Sequence, residues 1–158
     1  MESKYIFEWF QFADYDLDAA EVLLSYRPQR YEIICYHCQQ AAEKYLKGYL
    51  FYCGTEVPKI HLLDRLCEMC SEFDVGFDEI AKQCATLTAY GVQPRYPDEI
   101  YVDEALMKQA LAYARQIKEF ASLVAVRQEL EKAIKEENTP PTDETVENDP
   151  KVETDSIE

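Results

Sequence analysis

Glycine is scarce in this chain, with only four residues among 158. No stretch alternates apolar and polar residues in the way that a half-buried β-strand requires. These two absences disfavour a β-sheet protein and leave helices as the main elements.

Long apolar runs are also missing, because charged residues interrupt them every few positions. A helix that crosses a bilayer needs about 20 mainly apolar residues, and no segment approaches this length. The N-terminus does not lead into a hydrophobic signal core, since Glu8, Asp14 and Asp16 interrupt it. We therefore expect a cytoplasmic protein without membrane contact, whose six cysteines stay reduced.

Basic residues are few, with 16 Lys and Arg against 31 Asp and Glu, which gives a formal net charge of −15. The chain length fits one domain of roughly 100 to 200 residues. An acidic surface repels phosphate backbones at long range, and this excludes sequence-independent binding of nucleic acid over a broad surface. A role with nucleotides or RNA would require a local basic site.

The C-terminal end differs in composition from the rest of the chain. Residues 138–158 contain seven acids, one lysine, three prolines and no aromatic residue. Their net charge is therefore −6 of the total of −15, and residues 1–137 have a net charge of −9. Such a segment buries too little apolar surface to offset the entropy lost on ordering. The sequence predicts a folded domain over 1–137 and a disordered acidic tail over 138–158.

Within the folded part, apolar residues recur at steps of three and four, the spacing of a helix that is buried on one side. The expected helices cover about residues 6–24, 31–52, 62–70, 77–90 and 103–125. The last helix could fray onward through Lys135. The prediction is an all-α, up-and-down bundle of about five helices.

The second expected helix carries an unusual group of polar side chains. At 100° per residue, His37, Gln40, Lys44 and Lys47 fall within an arc of about 80°. They could form an ordinary solvated face, in which Glu43 and Lys47 make an i,i+4 ion pair. Alternatively, an imidazole, an amide and two cations in line could form one wall of an anion-binding pocket or a dimer groove.

A second candidate cation is Arg95, in the segment Pro94-Arg95-Tyr96-Pro97. Two prolines stiffen this segment, so the guanidinium is held at low entropic cost, and its planar fork suits a phosphate or a carboxylate. Arg95 could therefore bind an anionic ligand, or it could pin its loop to a buried acid such as Glu43.

Two further patterns have structural interpretations. His61 follows Pro58 and precedes the third helix, where we expect its ring to cap or pack against the helix start. The pairs Cys35/Cys38 and Cys67/Cys70 are CxxC motifs, but both lie inside helical patterns without a glycine-containing knuckle. We expect these cysteines to pack as small hydrophobic residues, and we expect neither a metal site nor a cofactor.

Four segments of the sequence form one pattern: Asp16-Leu17-Asp18-Ala19-Ala20, His37-Cys38-Gln39-Gln40-Ala41-Ala42-Glu43-Lys44-Tyr45-Leu46-Lys47, His61-Leu62-Leu63 and Arg95-Tyr96-Pro97-Asp98. Together they resemble the HEPN domain, a prokaryotic helical module. The resemblance covers about residues 3–125. It implies a bundle of four or five helices, a homodimer, and a minimal nucleotidyltransferase as partner protein.

Many HEPN proteins are RNA-cleaving toxins that carry an arginine followed four to six residues later by a histidine on a late helix. This chain departs from that pattern, because its only histidines are His37 and His61 and neither follows Arg95. Arg30 and His37 have a similar spacing, but they flank the start of the second helix. The resemblance therefore favours a non-catalytic, dimeric binding module in a toxin–antitoxin or stress-response system. It would bind a nucleotide or RNA phosphate, and the alternative is a metal-independent ribonuclease.

Aromatic residues are abundant, with twelve tyrosines and seven phenylalanines. A tyrosine at an interface buries a large ring and keeps its hydroxyl wet. Some of these rings fill the core, and the candidates for the interface of an expected homodimer are Tyr36, Tyr52, Tyr90, Tyr96 and Tyr101.

Overall fold

The computed structural model describes residues 2–91 and 101–138, with side chains from Ile6 onward. Within these ranges the chain forms five α-helices, one 3₁₀ helix and no β-strand. The elements are α1 (Glu2–Leu23), α2 (Tyr31–Tyr52), α3 (Leu63–Ser71), a 3₁₀ helix (Val75–Ile80), α4 (Ala81–Thr88) and α5 (Glu104–Glu137). The predicted all-α bundle of about five helices is confirmed. Arg95, Tyr96 and the acidic tail beyond Asn138 lie outside the described residues.

Helix α2 is the centre of the bundle. Fourteen of its residues are buried, because α1, α3, α4 and α5 all pack against it. Its ends match the predicted positions: Cys53 follows Tyr52, and Gly54 adopts a φ of 78°, a left-handed conformation that glycine tolerates without strain.

The pairing of α1 with α2 depends on small residues at the contact. Ala13 and Ala20 of α1 are fully buried, and a Cβ atom added at Gly48 of α2 would lie 2.7 Å from the Cβ of Trp9. The two backbones therefore approach closely along a stripe that the sequence periodicity of α1 predicted.

Two elements differ from the sequence prediction. The segment expected to be one helix over 77–90 is a 3₁₀ helix followed by α4, because the Asp74 carboxylate accepts a hydrogen bond from the Gly76 N–H and tightens this first turn. Helix α5 begins where Asp103 accepts from the Leu106 N–H at 2.8 Å. It then continues to Glu137, twelve residues beyond the predicted end at Ala125.

Candidate functional site

The first polar cluster joins α1 to α2 through Asp16. His37 Nδ1 lies 2.9 Å from one carboxylate oxygen of Asp16, and Lys44 Nζ lies 2.6 Å from the other. An ionised carboxylate only accepts hydrogen bonds, so Nδ1 of His37 carries a hydrogen; Nε2 is then an acceptor in the neutral ring and a second donor in the protonated ring. All three side chains are partly exposed. We call Asp16, His37 and Lys44 the Asp16 cluster.

The charge of Asp16 is stabilised by its two partners. Partial burial by itself would raise the pKa of Asp16, but the hydrogen bonds from His37 and Lys44 outweigh it and hold that pKa below its ordinary value. The cluster is neutral when His37 is neutral, and it carries one positive charge when His37 is protonated.

The second polar cluster surrounds Glu43, on another side of α2. Lys47 Nζ lies 2.8 Å and His61 Nδ1 lies 2.9 Å from the same carboxylate oxygen of Glu43. The Gln39 amide donates to the other oxygen at 3.2 Å and to the His61 carbonyl oxygen at 3.2 Å. We call Gln39, Glu43, Lys47 and His61 the Glu43 cluster.

Burial distinguishes this cluster from the first. Gln39 is fully buried, Glu43 is 6% exposed and Lys47 is 8% exposed, whereas the His61 side chain is 67% exposed. Burial favours the neutral acid, but hydrogen bonds from Lys47, His61 and Gln39 prevail and lower the pKa of Glu43. The cluster therefore fixes one ring nitrogen of His61 on a buried carboxylate and exposes the rest of the ring.

The structure divides the predicted site residues between these clusters. His37 and Lys44 meet at Asp16, and the Gln40 amide donates to the Gln39 side-chain oxygen at 2.7 Å. Lys47 is buried against Glu43, so an ordinary solvated face does not describe this side of α2. The predicted i,i+4 pair of Glu43 and Lys47 is present, but it is a buried pair.

Of the two roles expected for His61, capping the start of α3 is contradicted. Its ring does not cap α3, whose N-cap is Leu62 and lacks a side-chain hydrogen bond. The backbone N–H of Leu63 instead donates to the Thr88 hydroxyl at 2.9 Å. Nothing in the local sequence indicates that His61 pairs with Glu43, eighteen positions earlier. The one signal was the family resemblance, which includes His61-Leu62-Leu63.

The segment that carries Arg95 begins beside the Glu43 cluster. Gly91 is the last described residue before it, and a Cβ added at Gly91 would lie 3.1 Å from Gln39 Nε2. The chain thus leaves α4 in direct contact with the buried amide of Gln39. Whether Arg95 binds a ligand or pins its loop to Glu43 stays a prediction, since residues 92–100 lie outside the described ranges.

Arg30 and His37, the alternative catalytic pair, contact different groups. The Arg30 guanidinium lies over the Tyr26 ring, 5.9 Å from its centroid, while His37 is bound to Asp16. The two side chains therefore have separate partners.

The CxxC cysteines lie in the hydrophobic core. Cys35, Cys38, Cys67 and Cys70 are all buried, and burial raises the pKa of the Cys35 thiol to about 12. Across residues 2–91 and 101–138, no group of three or more His, Cys, Asp or Glu side chains could hold a metal ion.

Two of the five tyrosines proposed for an interface are buried. Tyr52 and Tyr90 are 4% and 6% exposed and belong to the core of their own chain, so neither offers a wet hydroxyl to a partner. Tyr36 is partly buried, Tyr101 is exposed, and Tyr96 lies outside the described residues.

The fold and these clusters define a class of protein: an all-α bundle whose central helix contributes one member to each of two carboxylate–imidazole pairs, on different sides of the helix. Residues 6–135 match the family model described as HEPN domain, and the chain belongs to this family. HEPN domains form an RNA-binding and ribonuclease-type module family, and they often dimerise. No curated protein matches the chain significantly.

Within the described ranges, no helix is long and apolar enough to cross a lipid bilayer.

The lowered pKa of Asp16 makes a prediction about stability and pH. A carboxyl group whose pKa is lower in the folded state stabilises the fold above its unfolded pKa of about 3.8, and this contribution is lost as pH falls through the folded value. At pH 7, Asp16→Asn should cost about 1–3 kcal/mol, because two charged hydrogen bonds weaken. The difference in melting temperature between wild type and Asp16→Asn should shrink as pH falls from 6 towards 3.

Asp18→Asn is the matched control on the same helix, because the Asp18 side chain is exposed. Its melting temperature should stay close to that of wild type at each pH. A wild-type advantage over Asp16→Asn that persists unchanged at pH 3 would contradict this role of the Asp16 charge. Thermal melts followed by circular dichroism provide the measurement.

Proposed function

We propose that this chain is a non-catalytic, dimeric HEPN binding module of the cytoplasm. In this proposal it works with a nucleotidyltransferase partner in a toxin–antitoxin or stress-response system, and it binds a nucleotide or RNA phosphate at the polar surface of α2. The resemblance supports the partner and the system, and the family membership supports the link to RNA.

One observation supports the proposal of a phosphate-binding site. Asp16 holds the His37 ring and the Lys44 ammonium, at 2.9 and 2.6 Å, with both side chains partly exposed. A carboxylate that fixes two side chains lowers the entropic cost of presenting them to a phosphate. Lys44 offers a charged donor, and the His37 ring adds a donor at Nε2 only in its protonated form. Because Asp16 compensates one positive charge, the cluster suits a small anionic group better than a long nucleic-acid backbone.

Arg95 is the remaining member of the proposed site. Its segment starts at Gly91, against Gln39, and Gln40 bonds to Gln39 while lying on the same side of α2 as His37 and Lys44. Lys47 belongs to this site as a buried support through Glu43, since its ammonium is scarcely accessible to a ligand.

Binding by the proposed site can be measured with a fluorescently labelled single-stranded RNA and with ATP, by anisotropy and calorimetry. Lys44→Met should weaken RNA binding roughly five- to tenfold and reduce the salt dependence by about one phosphate contact. Arg95→Ala should act in the same direction. Lys82→Met, which removes an exposed lysine of α4, is the matched control and should bind like wild type.

A specific observation also keeps the ribonuclease as a second candidate. Both histidines of the chain bind a carboxylate through Nδ1, which leaves the Nε2 of each neutral ring as an acceptor. An oriented imidazole of this kind can remove the proton from a 2′-hydroxyl, and a cation can stabilise the charge that develops on the phosphate.

An RNA-cleavage assay in EDTA separates the two functions. The binding-module proposal expects no cleavage by wild type while binding is retained. Cleavage by wild type that is abolished in His37→Ala, His61→Ala or Arg95→Ala would show that the protein is a metal-independent ribonuclease. If wild type neither binds nor cleaves any RNA or nucleotide tested, the proposal of a phosphate-binding site is wrong.

A further inference from the structure

Helix α5 extends well beyond the part of the bundle that covers it. Its last buried residue is Ala125, yet the helix continues to Glu137, a further distance of about 18 Å at 1.5 Å per residue. Leu123, Val126, Leu130 and Ile134 are 50% to 67% exposed. Their spacing of three, four and four residues places them along one side of the helix. We call these four side chains the α5 stripe.

An apolar groove lies directly beside the α5 stripe. It runs between α1 and α5 and has a volume of about 700 Å³. Phe7 and Phe10 of α1 form one wall, Val126 of α5 forms the other, and the rings of Tyr45 and Tyr52 of α2 form the floor. Because Val126 belongs to both features, the stripe and the groove make one continuous apolar face. We call it the α1–α5 face.

The end of α5 that carries the stripe is less acidic than the rest of the domain. Residues 123–137 carry three bases and four acids, a net charge of −1, whereas residues 1–137 together carry −9 and the whole chain carries −15. The groove beside the stripe is also lined by Glu8, Asp14 and Glu129. Two copies of so acidic a protein repel each other, so the nearly neutral end of α5 is the part of this face that a second copy can approach at the lowest electrostatic cost.

We infer that the α1–α5 face is a homodimer interface, in which the α5 stripe of each copy lies in the groove of the other about a two-fold axis. A stripe next to a groove on one molecule is self-complementary, as such an interface requires. A stable interface buries about 1,000 Å² or more in total, and Phe7 together with the α5 stripe would supply this if each buried roughly 100 Å². The inference refines the dimer named in the proposed function and does not depend on its phosphate site.

This interface leaves the Glu43 cluster of each copy complete and accessible. At 100° per residue, Tyr45 and Tyr52 lie on the opposite side of α2 from Gln39, Glu43 and Lys47. The groove therefore lies away from the Glu43 cluster, which each copy keeps uncovered. Asp16, His37 and Lys44 are not among the residues that line the groove either, so each copy has its own phosphate site and no site is shared across the interface.

The interface can be tested with the full chain, by light scattering coupled to size-exclusion chromatography and by sedimentation equilibrium. Wild type should be a dimer at about 50 μM, and the dimer should tighten from 50 to 500 mM NaCl because salt screens the repulsion between acidic copies. The double variant Val126→Glu/Leu130→Glu should raise the dimer dissociation constant at least 100-fold. Both positions are exposed within one copy, so its helical circular dichroism should match that of wild type.

Val22→Glu is the matched control, because it also places a glutamate at an exposed apolar helical position, 70% exposed, away from the α1–α5 face. It should remain a dimer. A monomeric wild type, a dimer that survives Val126→Glu/Leu130→Glu, or a dimer that weakens as salt rises would each overturn the inference.

RNA and nucleotide binding by the same variants separates this inference from the proposed function. Separate sites predict that the monomeric double variant retains the intrinsic affinity of each site. A wild-type dimer that is disrupted by the double variant but binds no nucleotide or RNA would refute the phosphate site and support the interface. Loss of binding together with the dimer would show a site shared between copies, contrary to the inference.

Discussion

Replacing Glu43 with leucine is expected to lower the free energy of unfolding by about 3–5 kcal/mol. The substitution leaves the Lys47 ammonium, 8% exposed, without its carboxylate partner. It also removes the acceptor for His61 and one of the two acceptors for the Gln39 amide. A buried charge that loses its partner costs far more than an exposed one, because water cannot replace the lost interaction. Urea denaturation at pH 7 provides the measurement.

The double variant Glu43→Leu/Lys47→Met tests this physical reason. Replacing both members of a buried ion pair by apolar side chains of similar volume is often neutral or stabilising, so the double variant should recover most of the loss. Glu68→Leu is a control for an exposed pair, since Arg65 and Glu68 are 2.6 Å apart at 61% and 64% exposure, and it should change stability little. A double variant as unstable as Glu43→Leu would show that packing, and not an unpaired charge, causes the loss.

The sequence predicted the central helix because its limits are set locally. The break at Arg27-Pro28 precedes α2, and Cys53-Gly54 ends it, with Gly54 in the left-handed conformation. The apolar stripe predicted for the first helix was also correct in most of its members: Ile6, Phe10, Ala13, Leu17 and Ala20 are buried, while Trp9 and Leu24 are partly buried. Each of these signals lies within a few residues of the feature that it indicates, so no knowledge of tertiary contacts was needed.

The same helical periodicity could not predict the burial of Lys47. An angle around a helix axis gives the direction of a side chain, but it does not say which neighbouring segment covers that side. Here the segment before α3 brings His61 onto Glu43, and the end of α4 brings Gly91 onto Gln39. Both contacts join residues that are distant in sequence, which is why a face that looked solvated contains a buried ion pair.

The partner of His37 was missed for a related reason. Asp16 is one of several acids in the first helix, and Glu8, Asp18 and Glu21 of that helix are exposed. The close approach of α1 to α2 brings this one acid between His37 and Lys44. Which acid on a polar face meets a partner helix depends on the crossing of the two helices, and single-sequence periodicity does not specify that crossing.

Gly48 is where this crossing is most sensitive to substitution, and Gly48→Val is expected to lower the free energy of unfolding by about 3 kcal/mol. A Cβ at this position would lie 2.7 Å from Trp9 Cβ and 3.2 Å from two ring atoms of Phe10. Glycine inside a helix is itself unfavourable by about 0.8–1.0 kcal/mol relative to alanine, so on local propensity alone its replacement would stabilise α2. The clash outweighs this gain, because α1 must move away from α2 and open the longest contact in the bundle.

Trp9 is the only tryptophan in the chain, so its fluorescence reports directly on the α1–α2 contact. Gly48→Val should shift the emission to longer wavelength in the folded protein as the indole gains water, and it should lower the urea midpoint. Gly54→Ala is the control: no atom lies within 4 Å of the added Cβ, and only the positive φ is strained, at a cost of roughly 1–2 kcal/mol. Its emission should match wild type even where its stability is lower. Wild-type emission and stability in Gly48→Val would mean that α1 and α2 do not approach as closely as this contact requires, and that Asp16 is not held between His37 and Lys44 by the crossing.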